Sequence, residues 1–413
     1  MKKFIFSLIT ICISVVFNPC LSIAQTDAGD GTEQFGDDIR FPMLPYYSYG
    51  SGLGWTTPDS TFRLNLRFRM QNRATYTDTG DNEAIEAAVR RLRVRFDGFV
   101  GDTRFLYAIQ LSFAPDDVGE IIAGENINII RDAVFFYQPN NYWSFGFGQT
   151  KLPGNRQRVN SSGALQLTDR SINNARFNID RDFGLFVYHL NEVQNRFSYN
   201  IKTAMSTGDG RNTTHNTDTN LAYTARIELF PLGAFQNNGW IFEGDLLREQ
   251  TPKLMISGTY HYNTGAQRQR GQLGPNLFES RDLRSILLDA IIKYRGFSAM
   301  AAYMSRDTDN PVTINPVNPD DFSYVFSGNG TDFQVSYLFP VNVEIIGRFS
   351  NQLPQNSLRG IYPHIRQYTF GITKYIWEHA LKLQSEFTYS REEFLQAAGR
   401  NQWYMRFQME IGI

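Results

Sequence analysis

From Ala87 to Phe99 the chain reads AAVRRLRVRFDGF. Four arginines, Arg90, Arg91, Arg93 and Arg95, fall within six residues, and apolar residues interrupt them. Successive side chains of an extended strand point to opposite faces. Arg91, Arg93, Arg95 and Asp97 then share one face, and Leu92, Val94 and Phe96 the other. A helix would smear both sets around its circumference. The stretch FRLNLRFRMQ repeats the pattern, with Phe62, Leu64, Leu66, Phe68 and Met70 opposed to Arg63, Asn65, Arg67, Arg69 and Gln71. Arg90 alone breaks it, because strict alternation turns it to the apolar side.

The same period continues to the end of the chain and predicts sixteen strands: 61–76, 87–100, 103–114, 127–138, 141–150, 182–190, 196–207, 220–230, 253–263, 282–295, 297–306, 329–339, 341–351, 364–376, 379–391 and 401–413. The fourth and sixth have ambiguous parity. Connections alternate between short ones, such as GD at 101–102 and RG near 295, and long polar ones, such as 115–126, 151–181 and 307–328. The link 231–252 is long where a short one is due. An even number of strands with turns at one end and long loops at the other is the pattern of a transmembrane β-barrel. A soluble sandwich has no reason to sort its loops this way. In lipid every backbone polar group needs an internal partner, so the sheet must close. The expected fold is therefore an all-β, 16-stranded antiparallel transmembrane barrel, with apolar faces toward lipid and the arginines toward an aqueous lumen. The final stretch WYMRFQMEIGI alternates like the closing strand of an outer-membrane barrel, although such strands usually end on an aromatic residue and this one ends on Ile413.

The N-terminus is read as an export signal over 1–24, with MKK as its basic start, an apolar run from Phe4 to Phe17, and small residues ending at Ala24. Cys20 does not suit lipidation, since Phe17, Asn18 and Pro19 stand where small residues are wanted. Both cysteines, Cys12 and Cys20, lie within the signal, so no disulfide is expected after cleavage. Residues 25–60 are acidic and then rich in Gly, Pro and Tyr, a flexible or plug-like periplasmic leader before a barrel over 61–413. Asp27, Asp30, Glu33, Asp37 and Asp38 fit no standard metal loop. The destination is the outer membrane of a Gram-negative cell, amid its lipid and lipopolysaccharide.

Catalytic patterns are absent. The five histidines lack metal-ligand spacing, and neither G-x-S-x-G nor H-E-x-x-H occurs. The Asp- and Asn-rich stretch 207–220 reads as a solvated loop. No enzyme, cofactor, metal or nucleic-acid partner is expected. Charge points elsewhere. Thirty-two of the forty basic residues are arginine, and by parity the lumen face carries about twice as many bases as acids. The excess concentrates in the first three strands, at Arg63, Arg67, Arg69, Arg91, Arg93 and Arg95. Confined arginines raise local anion concentration and replace lost hydration. The competing reading is that they pair with loop carboxylates and brace the wall. The loop 151–181 carries Lys151, Arg156, Arg158, Arg170 and Arg176 with Leu165 and Leu167 between them. A loop with apolar residues packs somewhere, and the barrel interior is available.

RRLRVRFDGFVGDTRFLYAIQLSF (90–113) resembles the second and third strands of the phosphate-selective porin O/P family, and GFGQTKLPGNRQRV with LQLTDRS (146–171) resembles that family's strand and inward-folded loop. The resemblance implies a 16-stranded trimeric outer-membrane porin with a narrow, arginine-lined anion path. By motif position it implicates Arg91, Arg93, Lys151, Arg156, Arg158 and Arg170 in the constriction. The expected function is passive diffusion of small anions, with phosphate a candidate among them, through a homotrimer. The alternative is a plugged structural or adhesive barrel, or a subunit of a larger outer-membrane complex.

Overall fold

All sixteen alternating segments are strands in the computed structural model, which describes residues 52–119, 128–213 and 218–413. The expected export signal, the acidic cluster 27–38 and most of the leader lie outside the described residues. The first eight barrel strands are β2 (Phe62–Asp78), β3 (Glu83–Val100), β4 (Asp102–Ser112), β5 (Ile130–Tyr137), β6 (Trp143–Lys151), β7 (Arg181–Asn191), β8 (Ser198–Ser206) and β9 (Ala222–Phe230). The second eight are β10 (Lys253–Arg268), β11 (Asn276–Tyr294), β12 (Phe297–Asp307), β15 (Gly328–Leu338), β16 (Val343–Pro354), β17 (His364–Trp377), β18 (Leu381–Glu393) and β19 (Arg400–Gly412). Each pairs antiparallel with its neighbours in sequence, and β19 returns to β2, so the barrel closes.

Three short strands lie outside this ring. β13 (Val312–Ile314) and β14 (Phe322–Tyr324) form a hairpin within a long external connection. β1 (Leu53–Thr56) falls inside the segment read as flexible leader, yet it pairs with β2 from Leu53 opposite Leu66 to Thr56 opposite Arg63. It lies against β2 just beyond the reach of β19, whose pairing stops at Gly412 opposite Arg69. The short turns follow local rules. Arg295 (φ 48°) and Gly296 (φ 86°) are both left-handed, the type I′ geometry that matches strand twist.

The outer surface carries large apolar side chains such as Phe135, Phe147, Leu185, Ile227, Leu288 and Phe370, each at least 44% exposed. A continuous apolar surface of this kind belongs against lipid. No helix among the described residues is long and apolar enough to cross a membrane, and the strands do the crossing.

Two departures from simple alternation shape the interior. Register slips between β2 and β3, where Gln71 faces Arg91 and Asn72 faces Val89. The extra residue is Arg90, and the resulting bulge lets Arg90 and Arg91 both reach Asp169 in the third external loop. This corrects the lipid-ward placement that strict alternation gives Arg90. The second departure concerns the lumen, which is not lined by polar groups throughout. Phe136, Phe186 and Tyr188 are buried against one another on the inner side of β5 and β7. That is why those two strands have ambiguous parity, since both of their faces are apolar. Gly146 makes room for Phe136, because a Cβ there would lie 2.4 Å from its ring.

Candidate functional site

Two segments enter the barrel from opposite ends. From the external end comes the loop 152–180, with helices α2 (Arg156–Val159) and α3 (Ile172–Phe177). Its Leu165 and Leu167 are buried, as apolar residues in a loop require. Groups on the β11–β18 wall hold it in place. Lys382 donates to the carbonyls of Gly163 and Leu165 at 2.7 Å each. Glu386 accepts the Thr168 amide at 2.9 Å, and Asp289 accepts the Arg156 amide at 3.2 Å. Asp332 accepts the Ser171 hydroxyl at 2.7 Å and the Asn173 amide at 2.9 Å. Arg306 caps the C-terminal end of α3 by donating to the carbonyls of Arg176 and Asn178, where the helix dipole favours a cation.

From the turn end comes the segment 231–252, the one link that is long where a short one is due. Phe235, Trp240 and Ile241 pack with Phe230, Met255 and Ile291 in an apolar cluster. Lys293 donates to the carbonyls of Gly239 and Gly244. The segment then meets the external loop directly. The Glu243 amide donates to the Ala164 carbonyl at 3.1 Å, and its carboxylate accepts the Gln166 amide at 2.9 Å.

On the arginine-rich side, the loop faces β2, β3 and β6 across a cavity of about 40 Å³. Arg67, Arg69, Arg93, Arg95 and Lys151 line it, together with Gln110, Ser161, Ser162, His379 and Glu410. Arg69 donates to the hydroxyls of Ser161 (2.8 Å) and Ser162 (2.7 Å), and Glu410 lies 3.9 Å from it. Arg67 and Arg95 share Asp97. Arg93 and Arg131 share Asp117, which stands on helix α1 (Pro115–Val118). Lys151 donates to the carbonyls of Val159 and Asn160. The lining thus holds five cationic side chains and one carboxylate side chain, with Asp97 and Asp117 paired to three of the five from outside it.

The other sequence-predicted positions do not line the cavity. Arg63 lies toward the turn end, with its Nε on Asn65. Arg91 bonds Gln71 and, with Arg73 and Arg90, the carboxylate of Asp169. Burial opposes the charge of Asp169, but Arg91, Arg90, Arg73 and Arg406 outweigh it and hold its carboxyl well below the usual carboxylate range. Arg156 turns to the other inward segment and donates to the carbonyls of Trp240 and Phe242. Arg158 pairs with Asp180. Arg170 donates to the carbonyls of Gln157 and Asn160. Arginines thus play two parts here: some border the cavity and others brace the loop.

These features can be set beside known proteins. Residues 61–231 match the model of the phosphate-selective porin O and P family. The match covers β2 to β9, the half that holds the arginine ladder and the inward loop, and it bears out the resemblance carried by 90–113 and 146–171. No curated protein sequence matches the chain. Among solved structures, the chain is similar to the outer membrane channel DcaP of Acinetobacter baumannii at 13% identity, covering 87% of this chain and 99% of that one with a TM-score of 0.54. It is similar to an anion-selective porin from Comamonas acidovorans at 10% identity, covering 85% and 99%, with a TM-score of 0.52. Salmonella typhi OmpF in complex with daunomycin is similar at 12% identity, covering 87% and 100%, also with a TM-score of 0.52. At such identities the likeness is one of fold. The family match spans residues 61–231, and the structural likeness shows the fold, a closed antiparallel barrel like those of outer-membrane porins.

Sequence reasoning missed Arg131, Asp117, Asp169 and the pair Ser161–Ser162, because contacts between a loop and a distant strand leave no periodic trace. The 231–252 segment did leave a signal. Phe235, Trp240, Ile241 and Phe242 are the same kind of loop apolar residues that mark 151–181 for burial.

Proposed function

We propose that the barrel is a passive diffusion channel for small anions, phosphate among them, with its selectivity region at the cavity between Arg69, Arg93 and the Ser161–Ser162 corner. The observation that supports this reading is the lining itself, in which Arg67, Arg69, Arg93, Arg95 and Lys151 gather beside a single side-chain carboxylate, Glu410, while Asp97 and Asp117 pair with three of them from outside it. Guanidinium forks suit oxyanions, and the serine hydroxyls and the Gln110 amide add neutral donors. A confined cationic region enriches anions and excludes cations, and such transport needs a gradient but no cofactor. The Comamonas porin with the same fold is named as anion-selective, which agrees with the proposal. The family resemblance further supports a homotrimer, which native mass spectrometry of the purified protein would test. The channel test is the reversal potential across a planar bilayer under a KCl gradient, with phosphate then added. Anion-selective sign and phosphate block of the chloride current are expected. Cation-selective sign would refute the proposal, and anion selectivity without block would remove phosphate from it.

One observation favours a second reading. The inward segments 152–180 and 231–252 meet inside the barrel through the Ala164, Gln166 and Glu243 bonds. A barrel closed at that junction would be a structural or adhesive element, or a subunit of a larger assembly. Folded protein that never conducts would establish that reading instead.

A further inference from the structure

The lipid-facing wall is not uniformly ridged. On β11, β12 and β16 small residues, Ala290, Ala299, Ala301 and Gly347, leave an external groove of about 740 Å³. That size lies within the ~300–1,000 Å³ typical of small-molecule sites. On β17 and β18 the groove is bounded by two directly opposed pairs, Phe370 with Phe387 and Tyr368 with Tyr389. One outward-facing step nearer the external end, the opposed pair is Arg366 and Arg391. Like charges directly opposite across two strands repel. Glu393 answers them only in part. Its carboxylate takes Arg366 at 3.2 Å and Arg391 at 3.0 Å, with His364 at 3.6 Å. The two guanidiniums remain 39% and 59% exposed.

We propose that the groove and the Arg366–Arg391 pair form one binding site for a phosphorylated, multiply acylated lipid of the external leaflet. Its acyl chains lie along Ala290, Ala301 and Gly347, and its phosphate sits between the two guanidiniums. The order of chemistry along the strands matches that of such a lipid: apolar groove, then a tyrosine pair at the level where aromatic belts sit, then cations. A phosphate relieves the repulsion between Arg366 and Arg391 and accepts their forked donors. The proposal rests on the barrel lying in an outer membrane and is independent of which solutes pass through it.

The test is native mass spectrometry of the full chain extracted from outer membranes in mild detergent. Wild type should carry a phosphorylated lipid adduct, and R366A/R391A and A301F should each lose at least tenfold in occupancy. Heat-modifiable electrophoretic mobility reports that the variants are folded, and bilayer conductance should be unchanged because neither change faces the lumen. Wild type stripped of lipid and reconstituted with the dephosphorylated form of the lipid should also lose tenfold, a comparison that needs no variant. Equal occupancy of the phosphorylated and dephosphorylated lipids overturns the proposal. So does displacement of the adduct by millimolar inorganic phosphate, which would leave a plain anion site. A changed oligomeric state in A301F with the lipid retained would make the groove a contact between copies and also overturn it.

Discussion

Replacing Arg69 with glutamine isolates charge from architecture better than any other change in the cavity. Arg93 is tied to Asp117, and Arg67 and Arg95 to Asp97. The close partners of Arg69 are instead the neutral hydroxyls of Ser161 and Ser162, and its nearest carboxylate, on Glu410, is 3.9 Å away. Glu410 keeps Gln71 and Lys382 when Arg69 is lost. A cavity of about 40 Å³ is roughly 2 Å in radius, so an ion inside it sits on the order of 4 Å from the lining nitrogens. At that separation one unit charge contributes about 1 kcal/mol even at the dielectric of water. The term stabilises an anion and destabilises a cation, so the permeability ratio changes by about 2 kcal/mol, or more than tenfold. Arg69→Gln should therefore lower the anion-to-cation permeability ratio at least tenfold, read as a shift in reversal potential under a KCl gradient. Arg63→Gln, outside the cavity, should leave the ratio within about twofold. An unchanged ratio in folded Arg69→Gln protein would refute the argument, because a charge held mainly by neutral hydroxyls would then have no influence on the ions passing it.

Four further outcomes rest on the loop anchors and the packing. Asp169→Asn removes the negative charge shared by Arg73, Arg90 and Arg91, should weaken the seating of the third loop by about 3 kcal/mol, and should speed protease cleavage within 151–181. The folded carboxyl of Asp169 titrates below its unfolded value of about 3.9, so its contribution is complete above about pH 4 and is lost as pH falls through the folded value; wild-type loop protection should be equal at pH 7 and pH 5 and decline only in stronger acid. Glu243→Ala deprives the Gln166 amide and the Gln157 side chain of their acceptor, at about 1.5–3 kcal/mol for a bond to a charged group, and should raise conductance and open-channel noise. Gly146→Val forces a methyl-bearing Cβ into the Phe136 ring and should cost about 1–3 kcal/mol, lowering the temperature of the heat-modifiable mobility shift, whereas Gly360→Ala, with open space around it, should not.

The barrel was legible in the sequence because its cause is local. Lipid on one side and polar contacts on the other impose a period of two, and the strands from Phe62 to Gly412 follow it apart from bulges and the pair β5 and β7. Where the outcome depended on contacts between distant residues, legibility failed. Arg90 turns inward through a one-residue bulge, which alternation cannot foresee. Phe136, Phe186 and Tyr188 face a lumen that is partly a core, so polarity could not orient their strands. Arg156 and Arg158 carry the composition of a constriction but spend their donors on the Trp240 carbonyl and on Asp180. A guanidinium is as useful for binding a loop as for meeting a solute, and only geometry separates the two uses.

The small strand β1 bears on the timing of assembly. Gln71 and Glu410, which meet across the closing seam, are 339 residues apart in sequence. Until β19 arrives, the open flank of β2 is a row of unpaired amides and carbonyls, ready to recruit any passing strand. Because Leu53–Thr56 doubles back onto the lower part of that flank, a neighbouring sequence can guard it from the start without waiting for the far end of the chain. The last strand need then zip only as far as Arg69, where its terminal residue meets Phe68. One flank of β2 is thus shared by two segments far apart in sequence, β1 along Arg63–Leu66 and β19 from Arg69 onward.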